Sequence, residues 1–368
     1  MEKRRMNILL VLFIFCVTFS EGFAIWEKLK VDEAIYSTKF CLCNDKLVVW
    51  HSNIVYVSED GGYSWGKQYT PFSPDSTFIY DMVCRNDTLF ATLYSYYPYG
   101  IFLSTDYGKS WFARNNGILF DKVDPLLRFL HLNENEIYVG TLRYFYKSTD
   151  GGNNWEVLND KIPFASGYLR IASMSKWENK IVIVTLYNIG YSDDDGKTYR
   201  TISYNPNDEN YRVLLLDNYI FVCTKNSGIL RSSDNGETWE QKNNGISFEG
   251  VVITRLKSYK GILFAGTGYK GLPTPNAQLC LYLSTDLGET WKKIEVDTSK
   301  GEGEIQNIEF RNDTIFVNRG GQYVYRAKLS ELLNVVPVVE EKVYHFYATE
   351  PIPTPTSVSA SIRLYWDA

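Results

Sequence analysis

Histidine is nearly absent. The chain has three in 368 residues, His51, His131 and His345, too few for a Ser–His triad or a His-based metal centre to be credible. Basic blocks are missing as well. With 38 Lys and Arg against 43 Asp and Glu, the net charge is −5, and no basic stripe offers a footprint for nucleic acid. Only the stretch from Ile8 to Phe19 is a sustained apolar run. It falls short of the roughly 20 apolar residues that a membrane-spanning helix needs. Cysteine is sparse. Beyond Cys16, inside that run, there are Cys41, Cys43, Cys84, Cys223 and Cys280, an odd set whose spacings match no zinc pattern. Four of these five fall in apolar strand-like runs and read as small buried hydrophobes, with a Cys43–Cys84 disulfide as the alternative.

Aromatic residues are plentiful: 28 Tyr, 20 Phe and 9 Trp. With helix signals scarce, that composition suits an all-β protein with large packed sheets. At the N-terminus, Met1-Glu2-Lys3-Arg4-Arg5 precedes the apolar run, and Gly22-Phe23-Ala24 places small residues at the two key sites. Residues 1–24 therefore read as a secretory signal cleaved after Ala24. Phe15 before Cys16 argues against a lipoprotein site. The expected product is secreted or displayed at the cell surface, and monomeric.

The organising feature is a repeat. The pattern S-x-D-x-G-x-x-W occurs at residues 58–65, 104–111, 148–155, 232–239 and 284–291. A weaker copy runs Ser192, Asp194, Gly196, Tyr199. Successive copies start about 40 to 52 residues apart, a propeller-blade period. The chemistry is that of a hairpin turn, in which an Asp carboxylate accepts backbone N–H groups and Gly supplies a positive φ. The structural residues are then Asp60, Asp106, Asp150, Asp194, Asp234 and Asp286, with Trp65, Trp111, Trp155, Trp239 and Trp291. This repeat resembles the Asp-box (BNR) repeat of the sialidase-like β-propellers, over most of the chain.

A second repeat sets the number of blades. Polar turns leading into apolar strands begin at Asn44, Asn86, Asn135, Asn179, Asn218, Lys260 and Asn312. Seven copies predict a seven-bladed propeller over residues 25–334, with six blades as the alternative. Asn86-Asp87-Thr88 and Asn312-Asp313-Thr314 fit the glycosylation sequon, but the repeat turn explains both. The seventh blade lacks the aspartate turn. Trp26-Glu27-Lys28-Leu29 matches the strand that follows a turn elsewhere, so the N-terminus is expected to close the ring as that blade's outer strand. Residues 335–343 read as a linker. Residues 344–368, with Pro351, Pro353 and Pro355 ahead of a short strand, resemble the opening of a type IX secretion C-terminal sorting domain, cut off early; a disordered Pro-rich tail is the alternative.

In propellers such turns occupy one face, and ligand sites usually form on the other. On that other face Tyr96, Tyr97 and Tyr99 stand in one loop, and residues 268–276 form an expanded one. Exposed tyrosines stack on sugars or bury in partner proteins. Counting back from the second strands, Lys39, Asp81, Arg128, Arg170, Arg212, Arg255 and Asn307 take nearly equivalent places on the inner strands. They are expected either to form a polar collar favouring a carboxylate or sulfate, or to lie between blades with each head paired locally.

Sialidases of the resembled family carry a Phe/Tyr-Arg-Ile-Pro signature before the first turn. The nearest approach here, Leu169-Arg170-Ile171-Ala172, sits in the fourth blade. A glycosidase also needs two carboxylates across a cleft, and Asp81 has only Glu304 and Glu309 as remote candidates. Asp193-Asp194-Asp195 belongs to the weak fourth turn rather than to a metal site. The sequence therefore predicts a non-enzymatic propeller without cofactor or metal that binds a glycan or an extracellular protein. A sialidase-like glycoside hydrolase is the alternative. A third reading is an assembly factor, since photosystem II stability factors resemble this repeat and carry an Arg-lined patch.

Overall fold

The computed structural model describes residues 26–31, 39–72, 77–95, 100–119, 129–133, 136–165, 168–202, 204, 207–271, 279–296, 303–319 and 323–335. The signal segment, nearly all of the linker, the tail, Arg128 and the tyrosines Tyr96, Tyr97 and Tyr99 lie outside them.

Seven four-stranded antiparallel sheets make a seven-bladed β-propeller, which removes the six-bladed alternative. The first strand, β1 (Glu27–Leu29), belongs to the last blade. Blade one is β2 (Lys39–Cys43), β3 (Lys46–His51), β4 (Ile54–Ser58) and β5 (Gly66–Tyr69). Blade two is β6 (Thr77–Arg85), β7 (Thr88–Ser95), β8 (Gly100–Ser104) and β9 (Phe112–Ala113). Blade three is β10 (Phe129–Asn133), β11 (Glu136–Gly140), β12 (Phe145–Ser148) and β13 (Glu156–Val157). Blade four is β14 (Ser173–Trp177), β15 (Lys180–Val184), β16 (Ile189–Ser192) and β17 (Arg200–Ile202). Blade five is β18 (Asn210–Leu216), β19 (Tyr219–Thr224), β20 (Ile229–Ser232) and β21 (Glu240–Gln241). Blade six is β22 (Val251–Tyr259), β23 (Ile262–Tyr269), β24 (Leu281–Ser284) and β25 (Lys292–Ile294). Blade seven is β26 (Ile305–Arg311), β27 (Thr314–Arg319) and β28 (Tyr323–Lys328), completed by β1.

The apolar runs become the second strands because both faces of those strands are covered by neighbouring blades. Leu47, Val48, Val49 and Trp50 of β3 are all buried, the continuous pattern expected of a strand packed on two sides. The core is accordingly divided into seven clusters, one at each blade interface. Wherever the turn into the second strand is among the described residues, it is tight and holds a left-handed residue, such as Asn44 (φ 50°), Asn86 (φ 53°) or Asn312 (φ 54°). Asparagine tolerates that conformation better than other side chains.

Ring closure follows from the pairing of β1 with β28, Glu27 opposite Arg326 and Leu29 opposite Val324. Arg326 clamps Glu27 through Nη2 at 2.7 Å and Nε at 2.8 Å. Leu29 inserts between blades seven and one among Phe40, Leu47 and Phe316. In blade seven a short helix, α1 (Leu329–Val335), follows β28. The carboxylate of Asp313 accepts the backbone N–H of Ser330 at 3.0 Å and its hydroxyl at 2.5 Å.

The six repeated turns share one hydrogen-bond net. In blade five, Ser232 Oγ donates to Asp234 Oδ1 at 2.8 Å and accepts the Gly236 N–H at 2.8 Å. The N–H of Thr238 donates to Asp234 Oδ1 at 2.9 Å and its hydroxyl to Oδ2 at 2.5 Å. Asp60, Asp106, Asp150, Asp194 and Asp286 make the same set, with Ser64, Ser110, Asn154, Thr198 and Thr290 in the place of Thr238. The pattern is therefore S-x-D-x-G-x-[S/T/N]-[W/Y], and its seventh position was legible in the sequence but missed. Gly236 is required because φ is 88° and a Cβ there would lie 2.4 Å from Ile202 Cδ1 of the preceding turn's outer strand.

The cysteines need a correction. Cys43 of β2 and Cys84 of β6 form a disulfide with a Cα–Cα distance of 5.3 Å, within the normal range. They are not merely buried hydrophobes, because the inner strands of blades one and two bring the two side chains together. Cys41, Cys223 and Cys280 are buried and take no part in a disulfide.

Candidate functional site

The inner strands bring Lys39, Asp81, Arg212, Arg255 and Asn307 to one level of the channel wall. Their register partners on the second strands are Trp50, Thr92, Cys223, Gly266 and Asn318. Each of the five stands five residues before the left-handed residue of the following turn, at Asn44, Asn86, Asp217, Lys260 and Asn312. The same place is taken in blade three by Phe129, opposite Gly140, and in blade four by Ser173, opposite Val184. Arg170 is therefore not a member. It lies three residues ahead of β14, exposed, with φ 40° and its N–H bonded to the Leu142 carbonyl at 3.0 Å. Counting five back from the turn, instead of aligning on arginine, would have found Ser173.

In blades two, five, six and seven the strand carries a bulge one residue before this position, at Tyr80, Tyr211, Thr254 and Gln306. A bulge leaves backbone groups out of the ladder, and the collar side chains take up those carbonyls. Lys39 Nζ donates to the Tyr80 carbonyl at 2.6 Å. Arg212 Nη1 donates to Tyr211 O at 2.7 Å and to Ala172 O of blade four at 3.2 Å. Arg255 Nη1 donates to Thr254 O at 2.7 Å, and its Nε to the Gln306 carbonyl of blade seven. Asn307 Nδ2 donates to Phe40 O of blade one at 2.5 Å. Collar and inter-blade pairing are thus not alternatives, since the same side chains do both.

The charges do not balance. Three cations face Asp81, with Glu304 at the rim holding the Tyr269 N–H at 3.0 Å. Burial pushes the Asp81 carboxyl up, while Lys39 and Arg255 pull it down. Burial lowers Lys39, aided by Arg255 and Arg212 and opposed by Asp81. Arg255 is pushed down to about 9, first by burial and then by Arg212. A guanidinium keeps its proton in proteins, so the depression reflects chiefly the cost of burying its charge, with Arg212 adding repulsion and Asp81, Glu304 and Glu309 opposing it. Deeper in the channel Lys257 and Glu309 pair at 2.6 Å. His131 is pushed down to about 4 by burial, with Lys257 adding to it, so it stands neutral at physiological pH.

Sequence reasoning also passed over an aromatic and basic group at this end of blades three and four. Tyr168 is 69% exposed and carries the Arg143 guanidinium 5.5 Å above its ring. Exposed Arg170 follows it, and Tyr187, in the turn between β15 and β16, is 49% exposed. The aspartate run reads differently: Asp194 belongs to the turn, Asp195 pairs with Lys176, and the Asp193 carbonyl accepts Asn179 Nδ2 at 2.5 Å.

No family model matches the chain, and no curated protein matches it by sequence. Solved structures do. YCF48 bound to D1 peptide superposes with a TM-score of 0.62 at 17% identity, over 82% of this chain and 95% of that one. The extracellular domain of the putative one component system BT4673 from B. thetaiotaomicron gives 0.61 at 15% identity, over 82% of this chain and 39% of that one. A catalytically inactive virginiamycin B lyase from Staphylococcus aureus with quinupristin gives 0.59 at 11%, over 83% and 99%. At these identities the likeness is one of fold: all are β-propellers. Among the described residues, no helix is long and apolar enough to cross a membrane.

Proposed function

We propose that this chain is an exported, non-enzymatic propeller of the Asp-box kind that binds an acidic group of an extracellular protein at the mouth of its channel. The observation that carries this is the excess of positive charge where Lys39, Arg212 and Arg255 converge on Asp81. An arriving carboxylate would relieve that excess through charge-assisted hydrogen bonds in a partly desolvated site. Tyr168, Arg143 and Tyr187 on the same side of blades three and four supply residue types that dominate protein interfaces. Export is supported by the Cys43–Cys84 disulfide, a bond of oxidising compartments. A peptide-bound neighbour, YCF48, supports a protein rather than a glycan as the occupant.

Calorimetry tests this with acidic peptides ending in a free carboxylate or an amide, and with uronic-acid glycans. Binding of peptide that weakens at least tenfold in an Arg212→Met, Arg255→Met double variant supports the proposal. Binding that ignores the double variant sinks the channel mouth as the site. Preference for the glycans replaces the protein partner with a carbohydrate.

A further inference from the structure

Where blade three hands over to blade four, the chain alternates between core and surface. Leu169 and Ile171 are buried in the cluster that fills this interface, whereas Tyr168 and Arg170 are exposed. The segment is pinned from both sides. The Arg170 N–H donates to the Leu142 carbonyl of blade three at 3.0 Å, and the Ala172 N–H to Val184 O of blade four at 2.7 Å. Arg170 holds a left-handed backbone, φ 40°, which a residue with a Cβ adopts only at a cost. Its guanidinium makes no hydrogen bond or ion pair among the described residues. The strain therefore serves no described contact of the Arg170 side chain.

The neighbouring Tyr168 ring carries the Arg143 guanidinium 5.5 Å from its centre. The loop that supplies Arg143 is fixed in turn. Thr141 Oγ1 accepts the N–H groups of Arg143 at 3.1 Å and Tyr144 at 2.9 Å, and Asn159 Nδ2 donates to the Arg143 carbonyl at 2.6 Å. Tyrosine on a preorganised backbone offers contact area at low entropic cost. This ledge runs into the collar without a break. Arg212 Nη1 donates to the Ala172 carbonyl at 3.2 Å, two residues from Arg170. Ser173, the collar position of blade four, stands three residues from Arg170, so at most about 11 Å separates their Cα atoms.

From this continuity we propose that the channel mouth and the ledge form one track for an extended acidic peptide of the partner. One carboxylate enters the collar. A second, within about three residues of the first, pairs with Arg170 while the Tyr168 ring covers the backbone between them. An extended strand rises about 3.3 Å per residue, so three residues span the step from Ser173 to Arg170. Charge selects the occupant, because Arg170 is exposed and no described carboxylate pairs with it. A planar guanidinium takes a carboxylate through two hydrogen bonds. The inference rests on the acidic-group site proposed at the mouth, and adds to it a second charge and its spacing.

Calorimetry with the full chain at constant ionic strength tests this with three Gly/Ser peptides. One carries a single Glu, one carries Glu-Ser-Glu, and one carries two Glu about eight residues apart, beyond the roughly three-residue step. The last two have equal charge, so general attraction does not separate them. Glu-Ser-Glu is expected to bind about tenfold more tightly than either of the others, the scale of one hydrogen bond to a charged group. Arg170→Met removes that gain and leaves the single-Glu peptide unchanged. Arg170→Gly suits the left-handed backbone, so it should melt no lower than the parent and still lose the gain. The Arg212→Met, Arg255→Met double variant weakens all three peptides. Single-Glu binding that depends on the collar, with no gain from the near Glu or a gain that survives Arg170→Gly, overturns this inference and leaves the mouth site standing. Binding that ignores the double variant, or no binding of any peptide, overturns both. An oligouronate that draws on Arg170 where the peptides do not assigns the track to an acidic glycan and overturns the peptide.

Discussion

Lys39 on blade one reaches the backbone carbonyl of Tyr80 on blade two at 2.6 Å, and its ammonium also sits 4.8 Å from the centre of the Tyr80 ring. The same device recurs where Arg255 takes the bulge carbonyl of Gln306 on blade seven. A long side chain on one inner strand thus satisfies a carbonyl that the neighbouring strand's bulge has freed. The collar fastens blades together and also concentrates positive charge at the mouth.

Lys39→Met tests the fastening. The substitution keeps an apolar stem but leaves the Tyr80 carbonyl without its donor and removes one cation near Asp81. Stability in urea is expected to fall by about 1–3 kcal/mol, the cost of a stranded buried polar group. The slope of the unfolding curve should not change. A variant as stable as the parent would show that water replaces the ammonium.

The repeated turns carry a pH dependence of definite sign. The hydroxyl and N–H of Thr238 and the hydroxyl of Ser232 hold Asp234 down at about 2, and Asn154 and Ser148 do the same for Asp150. A carboxyl depressed on folding contributes stability that is fully present above its unfolded value, near 4. That contribution is lost as pH falls through the folded value. Melting temperatures should therefore decline progressively from about pH 4 to about pH 2. An Asp150→Asn, Asp234→Asn double variant should melt lower at neutral pH and show a shallower decline. Equal slopes for parent and variant would place the acid sensitivity elsewhere.

Legibility in the sequence followed local chemistry. Leu47 to Trp50 and its six counterparts announced the second strands because two-sided burial leaves an uninterrupted apolar run. The turns announced themselves because Ser, Asp and Gly must stand at fixed spacing to close one hydrogen-bond net. Collar membership was harder to read. Arginine attracts attention, but Arg170 lies three residues outside the register, and the place belongs to Ser173. The Cys43–Cys84 bond needs strands 41 residues apart to be neighbours.

The disulfide predicts a thiol count and a stability loss. From residue 25 onward, alkylation under denaturing, non-reducing conditions should label three cysteines, Cys41, Cys223 and Cys280. The bond closes a loop of sequence separation 41. Chain-entropy reasoning puts the constraint it removes from the unfolded state at about 4 kcal/mol. A Cys43→Ala, Cys84→Ala variant should therefore lose about 2–4 kcal/mol. Five labelled cysteines in protein kept from reductants would refute the pairing.

Ring closure rests on a three-residue strand, so it offers the sharpest structural test. Leu29 is 2% exposed and packs between the first and last blades. Leu29→Ala should cost about 2–5 kcal/mol, as truncation of a buried leucine does. Removing residues 26–31 goes further, because it uncovers the edge of β28 from Tyr323 to Lys328. An exposed, unpaired strand edge recruits other chains. The truncated protein is therefore expected to sediment as larger species than the parent and to return to the parent's sedimentation when a peptide of residues 26–31 is added in excess. A truncated chain that sediments and melts like the parent would mean that β1 contributes little to closing the ring.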